Sequence, residues 1–225
     1  MKLRPGPIVR NKNRRRNAGF AICVTGIRPE MRDMLLVIWN SVPRPAPPRH
    51  YLEGLGGRCF VASADETGLG NAQASVVYGE AILTMQGQNR KLAIIAEARR
   101  LLRPGGRYGI HELCLVPDEL PRKTRDLIEH DLARTIHVGA RPLTTSEWRE
   151  LLIGQGFEIE FCSTAPMHLL ELPRLIRDEG LWRALLIASR LFRGADVRAR
   201  MLAMKEVFRR HGPHLRAITV VGRKP

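Results

Sequence analysis

The apolar positions change period several times along the chain, and each change marks an element. Ser75, Val76, Val77 and Tyr78 form a β-branched and aromatic run, the composition of a buried strand. Over residues 89–102, Leu92, Ile95, Ala98, Leu101 and Leu102 recur at helical spacing among Arg90, Lys91, Glu97 and Arg100. Arg103, Pro104, Gly105 and Gly106 should end that helix, because proline cannot continue it and glycine permits a tight reversal. Residues 108–116 are again strand-like. A strand, a long crossover helix and another strand predict parallel pairing with a right-handed crossover, hence a sheet with helices on its faces.

Upstream, residues 21–27 predict a strand. Pro29 suits a first helical position, with Met31, Met34, Leu35 and Ile38 as an apolar stripe behind it. Pro43, Pro45, Pro47 and Pro48 rule out a regular element between residues 42 and 57. Residues 58–62 predict a third strand, followed by Asp65, Glu66 and a short loop.

Downstream, residues 117–121 read as a turn and residues 122–136 as a helix with Leu127, Ile128, Leu132 and Ile136 on one side. Thr144 and Glu147 have the spacing of a capping box, and Leu143 and Trp148 that of a hydrophobic staple. That helix should stop near residues 154–156. Phe157, Ile159 and Phe161 then alternate with Glu158 and Glu160, a half-buried strand. Residues 167–210 read as helical, ending at Gly212 and Pro213, and residues 215–221 as a final strand.

The chain of 225 residues suits one substantial domain, and 44% hydrophobic with 26% charged residues is a soluble globular composition. The net charge of +15 is partly local: Lys2, Arg4, Arg10, Lys12, Arg14, Arg15 and Arg16 face no acid in residues 1–16. Such an arm could bind nucleic acid or an anionic membrane. It carries no interleaved aromatics and precedes no nucleic-acid module, so residues 1–19 read as a solvated, disordered arm before a domain at 20–225, with 163–212 a helical insertion. No apolar run reaches the roughly 18 residues needed to span a bilayer. The N-terminus lacks the apolar core of a secretory signal. Cys23, Cys59, Cys114 and Cys162 show no CxxC pair and read as free thiols in a reducing cytoplasm, without a metal.

The order VTGIRPEM, FVASADE, SVVYGEAI, EARRLLRPGGRYGI and LTTSEWRELLIGQGFEIE, closed by a short strand, resembles the class I S-adenosylmethionine-dependent methyltransferases of the small-molecule branch. The most specific piece is the helix ending in Leu101, Leu102, Arg103, Pro104, Gly105 and Gly106 before a strand. The resemblance covers roughly residues 20–162 and 215–223. It implies an α/β, Rossmann-like, mostly parallel sheet with flanking helices, and S-adenosylmethionine lying across the carboxyl ends of the strands. It also implies cofactor contacts at Gly26, Asp65, Glu66, Tyr78, Gly79 and Glu80. Asp65, or Ser63 in its place, would face the adenine amino group; residues 78–80 would line the methionine end.

Two departures stand out. The family's first strand, with its acid and GxGxG loop, belongs before VTGI and in the middle of the sheet, and residues 1–20 contain only Gly6 and Gly19. Arg28 stands where an acid should bind the ribose diol, and arginine has no acceptor.

Among groups able to move a proton, Glu80 and His111 are the candidate catalytic residues. His111 and Glu112 are adjacent on a strand and so point to opposite faces, which keeps both from one pocket. His130 and His137 lack the i,i+4 spacing of a metal-binding helix, and His168, His211 and His214 suggest no metal either. Residues 117–142 and 167–210 would cover a small-molecule acceptor, or pack as core or as the face of a homodimer. The activity expected is methyl transfer to a small molecule. The alternative is a non-catalytic protein of the same fold, acting as an interaction partner.

Overall fold

The computed structural model describes residues 20–28, 33–40, 58–136, 139–166 and 195–225. The strands are β1 (Phe20–Arg28), β2 (Asp33–Asn40), β3 (Arg58–Ala62), β4 (Ala74–Glu80), β5 (Leu102–Leu115), β6 (Leu143–Thr144), β7 (Glu158–Pro166) and β8 (Leu215–Arg223). The helices are α1 (Gln88–Leu101), α2 (Arg122–Ile136), α3 (Thr145–Gly154) and α4 (Ala195–His211), with a 3-10 turn at Leu83–Met85. The proline loop, the basic arm, and residues 167–194 of the helical insertion lie outside the described residues. Strand β7 runs to Pro166, so the insertion expected from residue 163 does not begin there.

The sheet has the order β3-β1-β2-β4-β5-β8-β7, with β6 beside β5. Strands β2, β4 and β5 are parallel, as is the β5–β6 pair. Pairing is antiparallel between β1 and each of β2 and β3, and between β8 and each of β5 and β7. The Rossmann-like α/β architecture is therefore as expected, with its parallel pairing confined to the centre.

Three expectations need correction. The helix expected from Pro29 through Ile38 is absent over residues 33–40, which form β2. Its sequence DMLLVIWN is a continuous apolar run of strand length, rich in residues that suit a pleated sheet, and a central parallel strand buries both faces. The vacancy expected in the middle of the sheet is filled by this same β2, which lies directly beside β4. The sequence at residues 102–106 is no free turn. Helix α1 passes directly into β5 at Leu102, and a register shift against β4 takes up the extra residues before Arg107. Gly105 sits there at φ +74°, a backbone that glycine adopts without strain. Its amide donates to the Lys224 carbonyl at 2.8 Å, and the Lys224 amide returns a bond to Gly106 at 2.8 Å. The Lys224 amine donates to the carbonyls of Arg99 and Leu102, which satisfies the end of α1.

Alternation along β5 sorts the layers. Tyr108, Ile110, Glu112 and Cys114 are buried, in one core with Ile94, Ile95, Ala98 and Leu101 of α1 and with Trp148 and Leu152 of α3. His111, Leu113 and Leu115 take the other face, and the leucines pack with Ile128 and Leu132 of α2 and Val207 of α4. Helix α3 begins at the expected capping box: Thr144 Oγ1 accepts from the Glu147 amide, and Glu147 accepts from the Thr144 amide. Among the described cysteines, Cys114 and Cys162 are free, and burial pushes the Cys114 thiol up to about 11.

Candidate functional site

The registers place the ends of the strands relative to one another. Phe20 pairs with both Asn40 and Ala62, and Trp39 pairs with Glu80. The carboxyl ends of β3, β2 and β4 therefore lie along one edge of the sheet. Asp65, three residues past β3, and Glu80, the last residue of β4, share that edge.

Glu80 pairs in register with His111 of β5. The His111 Nδ1 stands 3.8 Å from Glu80 Oε1, with both side chains open to solvent at 41% and 58%. A contact this exposed adds little to stability, whereas its accessibility suits contact with a ligand. Imidazole is the side chain best suited to exchanging a proton near neutral pH. Behind Glu80, Gly79 is buried and a Cβ there would meet Tyr108 Oη at 3.5 Å. Burial, assisted by Glu80 and Glu112, raises the pKa of Tyr78, so it stays a neutral hydrogen-bonding phenol.

Asp65 is held by two groups. Ser63 donates its hydroxyl to Asp65 Oδ1, and Arg90 in the first turn of α1 places Nε 3.5 Å from Oδ2. The following loop is pinned to α1 through Glu97, which is buried. Glu97 accepts from the Thr67 amide at 2.9 Å, the Thr67 hydroxyl at 2.6 Å and the Arg100 guanidinium at 2.7 and 2.8 Å. Arg100 also donates to Leu69 O and Asn71 Oδ1. Glu66 is exposed beside Asp65.

The structure thus brings Asp65, Glu66, Tyr78, Gly79, Glu80 and His111 to one edge. It does not bring Gly26 there. Gly26 pairs with Met34, whose neighbour Leu35 pairs with Val76, so Gly26 belongs to the opposite end of the sheet. Arg28 lies at that same far end. Its unsuitability as a ribose ligand therefore has no bearing on this edge: β1 runs against its neighbours, and its carboxyl end points away.

Glu112 differs sharply from its neighbour His111. It is buried and takes hydrogen bonds from the amides of Ile82, Leu83 and Thr84 at 2.8, 2.7 and 3.0 Å and from the Thr84 hydroxyl at 2.7 Å. Burial raises its pKa against the pull of these four bonds. On the same face Lys91 lies buried over the Trp148 ring at 5.1 Å, donating to Arg141 O at 2.5 Å, and burial lowers its pKa to about 8. Neither role is legible in sequence spacing, since the bonded partners lie tens of residues apart. The only local hint is the alternation that sends Glu112 inward.

Among the described residues, the remaining histidines are structural or exposed. His211 is buried against Asp131, Nε2 to Oδ2 2.8 Å, joining α4 to α2. His130 is exposed near the other Asp131 oxygen, and His214 Nδ1 lies 3.0 Å from Val116 O. His137 and His168 lie outside the described residues. Among the described residues no His, Cys, Asp and Glu group could hold a metal ion, and no helix is long and apolar enough to cross a membrane.

No family model matches the chain. An uncharacterized protein of Haemophilus influenzae is 29% identical over 149 residues, covering 66% of this chain and 57% of its own length. The chain thus spans little more than half of that relative. Among solved structures, a protein of Galdieria sulphuraria assigned as a sarcosine dimethylglycine methyltransferase aligns with a TM-score of 0.53 at 16% identity, over 72% of this chain and 57% of its own. The MccD protein aligns at 0.52 and 17% identity, over 73% of this chain and 66% of its own. A Haemonchus contortus phosphoethanolamine N-methyltransferase, solved with phosphomonomethylethanolamine and S-adenosylhomocysteine, aligns at 0.50 and 12%, over 73% and 36%.

The chain has the fold of the S-adenosylmethionine-dependent methyltransferases. Within that methyltransferase fold, the edge carrying Asp65, Glu80 and His111 is the carboxyl edge of the parallel strands, where open α/β sheets bind their ligands.

Proposed function

We propose that this chain is an S-adenosylmethionine-dependent methyltransferase acting on a small molecule. One observation carries the reading: Glu80, the last residue of β4, stands beside its register partner His111 of the adjacent parallel β5, on the same edge as Asp65. Asp65 supplies carboxylate acceptors for an adenine amino group, with Ser63 and Arg90 holding it in place, and Glu66 lies at the rim. Tyr78, Gly79 and Glu80 line the methionine end. The donor set fits a cationic sulfonium and a polar nucleoside. A glycine-rich cofactor loop is not found among the described residues.

When bound, the cofactor supplies an electrophilic methyl group. The chain's own work is positioning: Glu80 offers a negative charge beside His111 Nδ1, and His111 takes up the proton of an acceptor hydroxyl or amine. Helices α2 and α4, packed on the face of β5 that carries His111, bound the acceptor side. This chemistry suits a cytoplasmic enzyme with no nucleic-acid partner.

The same fold also accommodates a non-catalytic reading, favoured by the β1–β2 hairpin that fills the central position where the family places a glycine-loop strand. Isothermal titration with S-adenosylmethionine separates the two. Saturable heat supports the enzyme, and its absence at millimolar cofactor leaves only the non-catalytic protein. His111→Ala should retain cofactor binding and lose methyl transfer.

A further inference from the structure

We propose that Glu112 is the positioning residue of this site: its buried carboxylate clamps the backbone at residues 82–84 and thereby aims Glu80 at the ligand edge. The proposal rests on the methyltransferase reading given above. Immediately after Glu80 the chain turns at Ala81, whose φ of +52° is a left-handed backbone that a residue with a Cβ rarely adopts. The Ala81 amide donates to the His111 carbonyl at 2.9 Å, which ties the turn to the strand beside it. The next three amides, of Ile82, Leu83 and Thr84, all converge on Glu112. Ile82, Leu83, Thr84 and Glu112 are buried at 1%, 1%, 3% and 4% exposure, so these bonds lie away from bulk solvent.

The polarity of the clamp leaves one arrangement. Thr84 Oγ1 accepts from the Leu113 amide at 3.3 Å and so turns its own proton to Glu112 Oε2. Oε1 receives two amides, and Oε2 receives an amide and a hydroxyl. Every neighbour is a donor, so the group at position 112 must accept at both oxygens. Glutamine has the same shape but must turn an amide NH2 toward one pair of donors. The strand pairing puts Glu80 level with His111, one residue before Glu112. The clamp therefore acts within a few ångströms of backbone from the reactive pair while itself facing the opposite side of the sheet.

The test uses the full chain with Glu112→Gln, Thr84→Val and Thr84→Ser, read by hydrogen–deuterium exchange and by titration with S-adenosylmethionine. In E112Q the amides at 82–84 should exchange about 10–100-fold faster, with α1 and β8 unchanged. Cofactor affinity should fall by about tenfold as Glu80 loses its fixed place. T84V should move both readouts the same way by less, and T84S, which restores the hydroxyl, should match the parent. T84V carries the test if E112Q does not fold. Exchange at 82–84 that is unchanged, or that rises equally throughout the sheet, overturns the clamp. A loosened turn with undiminished affinity overturns its positioning role. Failure of the parent chain to bind cofactor, with the exchange pattern as expected, overturns the methyltransferase reading and with it the positioning role, while the clamp itself stands.

Discussion

Replacing Glu97 by glutamine isolates what holds the Asp65 loop to α1. Glu97 accepts four hydrogen bonds: two from Thr67 and two from Arg100. Oε1 takes both Thr67 bonds and one from Arg100 Nη2, whereas Oε2 takes only Arg100 Nε, so glutamine keeps its one acceptor oxygen toward Thr67 and turns its NH2 against the Arg100 Nε donor. Leaving a buried donor unsatisfied costs about 1–3 kcal/mol. The Arg100 side chain is 36% exposed and can turn to water, so its share is small. The expected loss is about 1 kcal/mol, which for a chain of this size lowers Tm by about 2–4 °C. Burial works to raise the Glu97 pKa, but the bonds from Arg100 and Thr67 outweigh it and the net shift is downward. A carboxylate depressed on folding contributes stability that is fully present above its unfolded pKa and is lost as pH falls through its folded value. The parent should therefore lose stability below the ordinary carboxylate range more steeply than E97Q. Urea titrations of both proteins at neutral and acid pH measure this. Equal midpoints at neutral pH would refute the argument that this carboxylate secures the loop.

Other expectations follow from separate contacts. A Cβ at Gly222 would meet Phe157 Cβ at 2.9 Å and Cγ at 3.2 Å, so Gly222→Ala should destabilise by about 1–3 kcal/mol in urea unfolding. Thr144→Ala removes the acceptor that caps α3 and should cost about 1 kcal/mol in the same assay, with Thr144→Ser close to the parent. Lys91 has its pKa lowered to about 8 by burial, so the unfolded chain binds the extra proton between there and the ordinary lysine range. The parent should gain stability as pH rises through that window, and Lys91→Met should show no such gain in denaturant midpoints measured from pH 7 to 10.

Local signals were legible where one short stretch decided the outcome. The Thr144 and Glu147 capping box and the α1 periodicity appear where the pattern places them, whereas the alternation of Phe157, Ile159 and Phe161 with Glu158 and Glu160 fails at Phe161, which a register shift after Ile159 leaves exposed. The segment at 33–40 was misread because Met34, Leu35 and Ile38 satisfy a helical stripe, while Leu35 through Trp39 equally satisfy a doubly buried strand. Periodicity cannot separate the two over so short a run, and the choice belongs to the neighbours, since β4 needs a parallel partner. The same tertiary decision reverses β1 and carries Gly26 away from the ligand edge. Asp65 and Glu80 are legible because each follows or ends a strand that the pattern identifies, and His111 because it lies within the next strand. The Glu97 and Glu112 clusters were not, because their partners become neighbours only once the sheet is assembled.

Strand β5 owes its two flanks to segments made at very different times during synthesis. One flank, β4, precedes it on the chain, while the other, β8, follows some hundred residues later. At about 5–20 residues per second, a ribosome leaves one side of the strand bearing His111 uncovered for several seconds. An unpaired apolar edge during that interval invites association with other nascent chains. Expression at lower temperature or with a holdase present should therefore change the yield of this protein more than its final stability.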